Sequence, residues 1–310
     1  PYNYPFQLLM EPLISAIAAG NCAVVRTSKQ TPHTSEVIRR MLLHAFRPEY
    51  IWCAAGDRVD NQLLLKQRFD YIFFTGSPRI GRLIMKAAAE NLIPVTLELG
   101  GKSPVMVDRS ADLPTAARRI MWGKLLNAGQ TCVAPDYILA DENVRDRLLI
   151  CLKEAAEDLY GKNIADNPDY GRIVNDRHYS RLTDILEADK EWIVYGGKHT
   201  KKGRFVGPAI LDLGSVSGKA ADQAVSMQDE LFGPVLPVLS YKKLQEALDF
   251  VNKRERPLAL YIFTEDRDVR DRILEHTCSG GVCVNDTVDH LVNHRLPFGG
   301  VGNSGMGRYH

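Results

Sequence analysis

Tyr71-Ile72-Phe73-Phe74-Thr75-Gly76-Ser77-Pro78-Arg79-Ile80-Gly81 is the stretch on which the fold turns. The apolar run 71–74 reads as a buried strand, Gly76 breaks it, and a helix is expected over Leu83–Asn91. Strand, glycine turn and helix in that order present main-chain N–H groups and the positive end of a helix dipole to a phosphate. The spacing is G-S-P-R-I-G and not G-x-G-x-x-G, so a second reading stays open, a strand-to-helix turn that binds nothing.

The same alternation extends to both sides. Upstream, helical spacing over 5–19 leads through Gly20-Asn21 to a strand at Ala23–Val25, a helix at Thr31–Phe46, a strand at Tyr50–Cys53 and a short helix at Val59–Leu65. Downstream come strands at Val95–Leu97, Val105–Val107 and Tyr137–Leu139, with a helix at Asp112–Leu126 and a long one from Val144 to Tyr160. Residues 161–204 are polar and read as a looser excursion with one helix at Tyr179–Ala188. Strands then recur at Ala209–Leu211, Val235–Leu239, Leu258–Phe263 and Gly281–Val284, with helices at Lys242–Lys253 and Val269–His276. Closely alternating strands and helices imply parallel pairing through crossover helices, an α/β doubly wound sheet, with a second α/β unit beginning near Gly101.

Composition narrows the function. With 39 basic and 38 acidic residues the chain carries a formal +1, which points to no nucleic-acid partner. No apolar run reaches membrane-spanning length. The six cysteines are scattered, form no C-x-x-C pair and suggest neither a disulfide framework nor a metal site, so a reducing cytoplasm is the expected setting. Cys22, Cys53, Cys151, Cys278 and Cys283 read as small core residues. His294 and His310 read as surface groups.

Cys132 departs from that pattern, because Gly129-Gln130-Thr131 before it and Pro135 after it place it in a turn-rich loop. Glu98 ends a strand where Gly100-Gly101 forces a sharp turn. A thiol and a carboxylate at loop edges suit covalent acyl chemistry with the carboxylate as general base. Taken alone, Glu98 reads rather as a solvated strand-end carboxylate, and Asn3 as a turn residue between prolines.

Six motifs run in order along the chain: P-Y-N-Y-P at 1–5, F-T-G-S at 74–77, L-E-L-G-G-K-S-P at 97–104, G-Q-T-C at 129–132, D-E-L-F-G-P at 229–234 and L-P-F-G-G-V-G-N-S-G-M-G-R-Y-H at 296–310. Together they resemble the aldehyde dehydrogenase superfamily, and A-G-Q-T-C-V-A-P-D-Y is most similar to its class 3, fatty and aromatic aldehyde branch. The resemblance implies a Rossmann-type cofactor domain over 1–100, a catalytic domain over 101–285, and a return segment, 286–310, that lines the active site and rejoins the cofactor domain. It implies Cys132 as nucleophile, Glu98 as general base for the deacylating water, and Asn3 as an oxyanion donor. It places NAD or NADP at Gly76, Ser77 and Gly81, with Glu230 and Phe232 at the nicotinamide end; Lys102 falls at a family position of unassigned role. It further implies a chain truncated at both ends and a homodimer when full length.

One departure bears on the cofactor. Where the family reads K-P-S-E after the first strand, this chain reads Arg26-Thr27-Ser28-Lys29. A lysine in place of the acidic residue suits a 2′-phosphate, so Arg26, Ser28 and Lys29 are expected to accept or favour NADP. The expected reaction is NAD(P)-dependent oxidation of an aldehyde to a carboxylic acid through a thiohemiacetal and a thioester. Two alternatives stand beside it: hydrolysis by Cys132 with His178 as partner, and a non-catalytic or impaired family member with a binding role.

Overall fold

The computed structural model describes residues 1–54 and 61–309. The chain divides into two compact units, Pro1–Glu98 and Leu99–Arg308, with Tyr309 grouped with the first.

In the first unit the order is α1 (Gln7–Ala18), β1 (Ala23–Arg26), α2 (Pro32–Ala45), β2 (Ile51–Ala54), α3 (Asn61–Leu65), β3 (Ile72–Thr75), α4 (Pro78–Ala89) and β4 (Val95–Glu98). β1 pairs in parallel with β2, and β3 with β4. The apolar faces of α1 and α2 close over the first pair, with Leu13, Val25, Ile38, Leu42, Ile51 and Cys53 as the buried cluster. The helix expected over Val59–Leu65 is described from Asn61 onward; Val59 and Asp60 lie outside the described residues, as does His310.

One correction matters for the site. α4 begins at Pro78, not at Leu83. Proline at the first helical position costs no hydrogen bond and presets the backbone, so P-R-I-G is already helix. Gly81 N–H donates to the Ser77 carbonyl at 2.9 Å, which puts Gly81 in the first helical turn, buried, and leaves only Gly76-Ser77 in the turn itself.

The second unit contains β5 (Pro104–Val107), α5 (Leu113–Leu125), β6 (Tyr137–Asp141), α6 (Arg145–Tyr160), α7 (Asp176–Ala188), β7 (Ile193–Gly196), β8 (His199–Thr200), β9 (Phe205–Val206), β10 (Ala209–Ser215), α8 (Lys219–Gln223), β11 (Val235–Tyr241), α9 (Leu244–Asn252), β12 (Ala259–Phe263), α10 (Arg267–His276) and β13 (Gly281–Val284). Seven strands form one sheet in the order β13-β12-β5-β6-β11-β10-β7. Every neighbouring pair is parallel except β10–β7. β5, β6, β11 and β12 are buried at every residue, as strands covered on both faces must be.

The excursion expected over 161–204 is more ordered than its composition suggested. β7 closes the sheet as an antiparallel edge, and β8 and β9 form a small antiparallel hairpin. β7 shows only a short, half-exposed alternation, the pattern of an edge strand. The expectation for two cysteines is also corrected: Cys53, Cys151 and Cys283 are buried, but Cys22 and Cys278 are exposed, because each sits in the loop just beyond a helix end. The segment from residue 286 packs with the second unit through Arg308. Among the described residues no helix is long and apolar enough to cross a membrane.

Candidate active site

Glu98, Asn3 and the expected nucleotide residues belong to the first unit, Cys132, Glu230 and Phe232 to the second.

In the first unit, β3 and β4 end side by side, with Thr75 opposite Glu98. Gly76 N–H donates to the Glu98 carbonyl at 3.0 Å, so the expected nucleotide turn and the expected base share one edge. The Glu98 side chain is only 3% exposed, and neither carboxyl oxygen has a hydrogen-bond partner among the described residues. Loss of hydration disfavours the charged form and raises its pKa to about 8. A carboxyl group held this way takes a proton readily at neutral pH and has unspent acceptors for a water molecule.

Ser77 is the N-cap of α4 in extended conformation, and its hydroxyl makes no capping bond. Pro78 carries no N–H, and those of Ile80 and Gly81 donate to the Ser77 carbonyl at 3.0 and 2.9 Å, so what this turn offers an anion is the positive end of the helix dipole with no acidic side chain beside it. At the end of β1, Arg26 is largely engaged: it donates to the Thr27 and Ala54 carbonyls at 3.2 and 3.0 Å and to the Asn61 side chain at 3.0 Å. Its first role here is to tie β1 to β2 and α3. Ser28 accepts from the Gln30 N–H at 3.2 Å, and Lys29 is exposed. Asn3 is half-buried ahead of α1.

In the second unit, α5 runs out through three consecutive left-handed residues, Asn127 (φ 53°), Ala128 (φ 53°) and Gly129 (φ 76°). A non-glycine residue there costs roughly 1–2 kcal/mol, so surrounding bonds must hold the turn. Gln130, 3% exposed, supplies them: its amide donates to the Asn127 and Arg172 carbonyls, both at 3.0 Å, and accepts from the Val174 N–H at 3.0 Å. A Cβ on Gly129 would stand 2.3 Å from the Gly233 carbonyl oxygen, so the Cys132 loop and the 229–234 loop touch main chain to main chain. Cys132 itself is half-buried between buried Thr131 and Val133.

Glu230 meets the G-G-K turn. A Cβ on Gly100 would fall 2.1 Å from the Glu230 Oε2, and the Gly101 N–H bonds to the same carboxyl. Burial first, then the negative charge of Asp136, pushes its pKa up to about 8. Phe232 next door has φ 46°, a second strained point in this loop.

Several residues that matter here escaped the sequence reading. Asp136, 3% exposed, takes Lys102 Nζ at 2.6 Å on one oxygen and the Leu231 N–H at 3.1 Å on the other. Lys124, fully buried in α5, stands 3.8 Å from Asp136 and makes no hydrogen bond among the described residues; burial lowers its pKa to about 8. Arg181 of α7 donates to the Leu231 carbonyl. The available signal was a lysine inside the apolar run I-M-W-G-K-L-L.

The profile described as the aldehyde dehydrogenase family matches residues 1–310. The 4,4'-diaponeurosporen-aldehyde dehydrogenase of Staphylococcus aureus (strain NCTC 8325 / PS 47) is 50% identical over 310 residues, which is all of this chain and 66% of that protein. The Rattus norvegicus protein named aldehyde dehydrogenase, dimeric NADP-preferring, is 43% identical over 309 residues, again 100% of this chain and 66% of the relative. A solved structure described as the substrate-bound state of Staphylococcus aureus AldH superposes with a TM-score of 0.96 at 49% identity, over 100% of this chain and 66% of that one. The chain thus spans just under two thirds of the length of these relatives.

Two outcomes follow from this geometry. Gly129→Ala forces a Cβ into the Gly233 carbonyl at a left-handed residue, and is expected to cost roughly 2 kcal/mol or more of unfolding free energy in denaturant titration. Glu98→Gln changes stability in a pH-dependent way. The folded pKa, about 8, lies above the ordinary 4.5, so the wild type loses stability as pH rises from about 4.5 through 8 and levels off beyond. The melting temperature of Glu98→Gln should accordingly gain on wild type across that window and hold a constant lead above it; equal slopes for the two proteins would refute the assignment.

Proposed function

The chain belongs to the aldehyde dehydrogenase family, and we propose that it oxidises an aldehyde to a carboxylic acid with Cys132 as nucleophile, Glu98 as base and NAD or NADP as oxidant. The observation that carries this reading is Glu98, a buried carboxyl whose two oxygens have no hydrogen-bond partner among the described residues and whose pKa is raised to about 8. A carboxylate serving structure alone would be paired or solvated.

In this reading the Cys132 thiolate adds to the aldehyde carbon, and the carbonyl oxygen becomes an alkoxide held by the Asn3 amide and the Cys132 N–H. A bound nicotinamide supplies the acceptor for the hydride that leaves the thiohemiacetal carbon as the alkoxide collapses. The thioester on Cys132 is then attacked by water, Glu98 takes the water's proton, and the thiolate departs as the acid is released. The first turn of α4 would hold the diphosphate, and Glu230 and Phe232 would set the nicotinamide end. The rat relative's name favours extending NADP use and a dimeric state to this chain, and Lys29, exposed beyond β1, supplies charge for a 2′-phosphate.

The test is NAD(P)H absorbance on mixing the full chain with a panel of aldehydes. Cys132→Ala should abolish it. When hydrolysis of the thioester limits turnover, kcat should rise with pH through an apparent pKa near 8, the ionisation of Glu98. Glu98→Gln should remove that limb and cost about 100-fold or more in kcat. Lys29→Glu should weaken NADP about tenfold relative to NAD, measured as a ratio of dissociation constants; an unchanged ratio removes Lys29 from the cofactor site.

A further inference from the structure

Asp136 lies four residues beyond the expected nucleophile, yet the reaction outlined above gives it no task. Its surroundings are unusual for a surface-derived carboxylate. It is 3% exposed, its N–H donates to the Ser103 carbonyl at 2.8 Å, and its two oxygens divide their partners. Oδ2 takes Lys102 Nζ at 2.6 Å. Oδ1 takes the Leu231 N–H at 3.1 Å and faces Lys124 Nζ at 3.8 Å. Lys102 carries the connection further, donating to the Ser226 carbonyl at 2.7 Å and the Asp229 carbonyl at 3.2 Å.

These bonds join three separate stretches: the exit of the Cys132 loop, the G-G-K turn, and the loop running from Ser226 through Leu231. Leu231 sits between Glu230 and Phe232, the two residues proposed to meet the nicotinamide end. Its carbonyl is fixed from the other side by Arg181. The main chain of this loop is therefore held on both sides of Leu231 by charged groups, and Phe232 keeps its left-handed backbone next to that anchor.

We propose that Asp136 is a positioning residue that fixes the Glu230–Phe232 segment against the Cys132 loop, so that nicotinamide and thiol share one register. The inference rests on the dehydrogenase reading above and adds to it a residue that touches neither substrate nor cofactor. Lys102 is the strut that transmits the position to Ser226 and Asp229, and Lys124 is the buried counter-charge behind it. The anchor acts on the main chain of this loop, through the Leu231 N–H and carbonyl.

The discriminating experiment compares chemistry that needs the nicotinamide with chemistry that needs only the thiol. Acylation of Cys132 by p-nitrophenyl acetate requires no nucleotide; dehydrogenation does. In the full chain, Asp136→Asn keeps the shape of the side chain but sets an amide donor against the Lys102 ammonium. It should weaken NAD and NADP about tenfold, read by fluorescence titration, and lower dehydrogenation kcat by roughly 10- to 100-fold. The burst of p-nitrophenolate should change less than about threefold.

Asp136→Asn leaves Lys124 as an uncompensated buried cation, which threatens folding. Asp136→Asn combined with Lys124→Met removes that charge at similar volume and carries the same comparison. A folded variant whose nucleotide affinities match wild type overturns the inference. So does equal loss of acylation and dehydrogenation, which would mark Asp136 as general scaffolding. A wild-type chain that neither binds nucleotide nor is acylated sinks the dehydrogenase reading itself, a result distinguishable before any variant is made.

Discussion

A buried carboxylate, Asp136, set between the fully buried ammonium of Lys124 and the largely buried one of Lys102, ties together the loops around Cys132 in the second unit. Desolvating three charges costs several kcal/mol for each ion, and their attraction offsets that cost only in a fixed geometry. Asp136, Lys102 and Lys124 therefore cannot drift independently. Once they are set, so are the segments that carry them: the end of α5, the G-G-K turn, the exit from the Cys132 loop and the start of the 229–234 loop. Gln130 complements this from the other side of Cys132, tying its loop to Arg172 and Val174 ahead of α7.

That scaffold explains how the chain tolerates an unfavourable backbone around its thiol. Asn127, Ala128 and Phe232 all lie in the left-handed region that side chains avoid. Two of these precede Cys132 and the third lies in the loop that touches Gly129 across the Gly233 carbonyl. Strain of this kind persists only where neighbouring bonds over-determine the conformation. Here those bonds are charge-assisted or buried, so each is stronger than an exposed one would be.

Such constraints were only partly legible in the sequence. The parallel sheet was readable because β5, β6, β11 and β12 are buried on both faces and appear as short unbroken apolar runs. β7 was not, since an edge strand with one half-exposed face resembles a loop. The start of α4 was misplaced for a related reason: proline and glycine signal a break, yet both fit the first turn of a helix. Cys132 and Glu98 stood out as candidates because they sit inside local motifs. Asp136 and Lys124 stayed hidden because their roles depend on partners distant in sequence, Leu231 and Lys102 for the one and Asp136 for the other. Periodicity reports which face a residue occupies, but it cannot report which charge will lie across from it.

The contrast between the two carboxyls whose pKa lies near 8 sharpens what burial does here. Glu230 is raised by burial and by the charge of Asp136, yet it keeps a bond from Gly101 and the nearby positive charges of Lys102 and Arg181. Its environment is a balance of opposing charges, and moving any member shifts it. Glu98 is raised by burial alone, with no bond to either oxygen among the described residues. Its proton affinity therefore depends on dryness and not on the positions of charged neighbours. A carboxyl whose proton affinity is set by desolvation responds steeply to any water that reaches it, because a hydrogen-bonded water hydrates and so stabilises the carboxylate. Glu98 thus combines proton affinity and a vacant acceptor in a single group, and that combination costs folding free energy wherever it occurs.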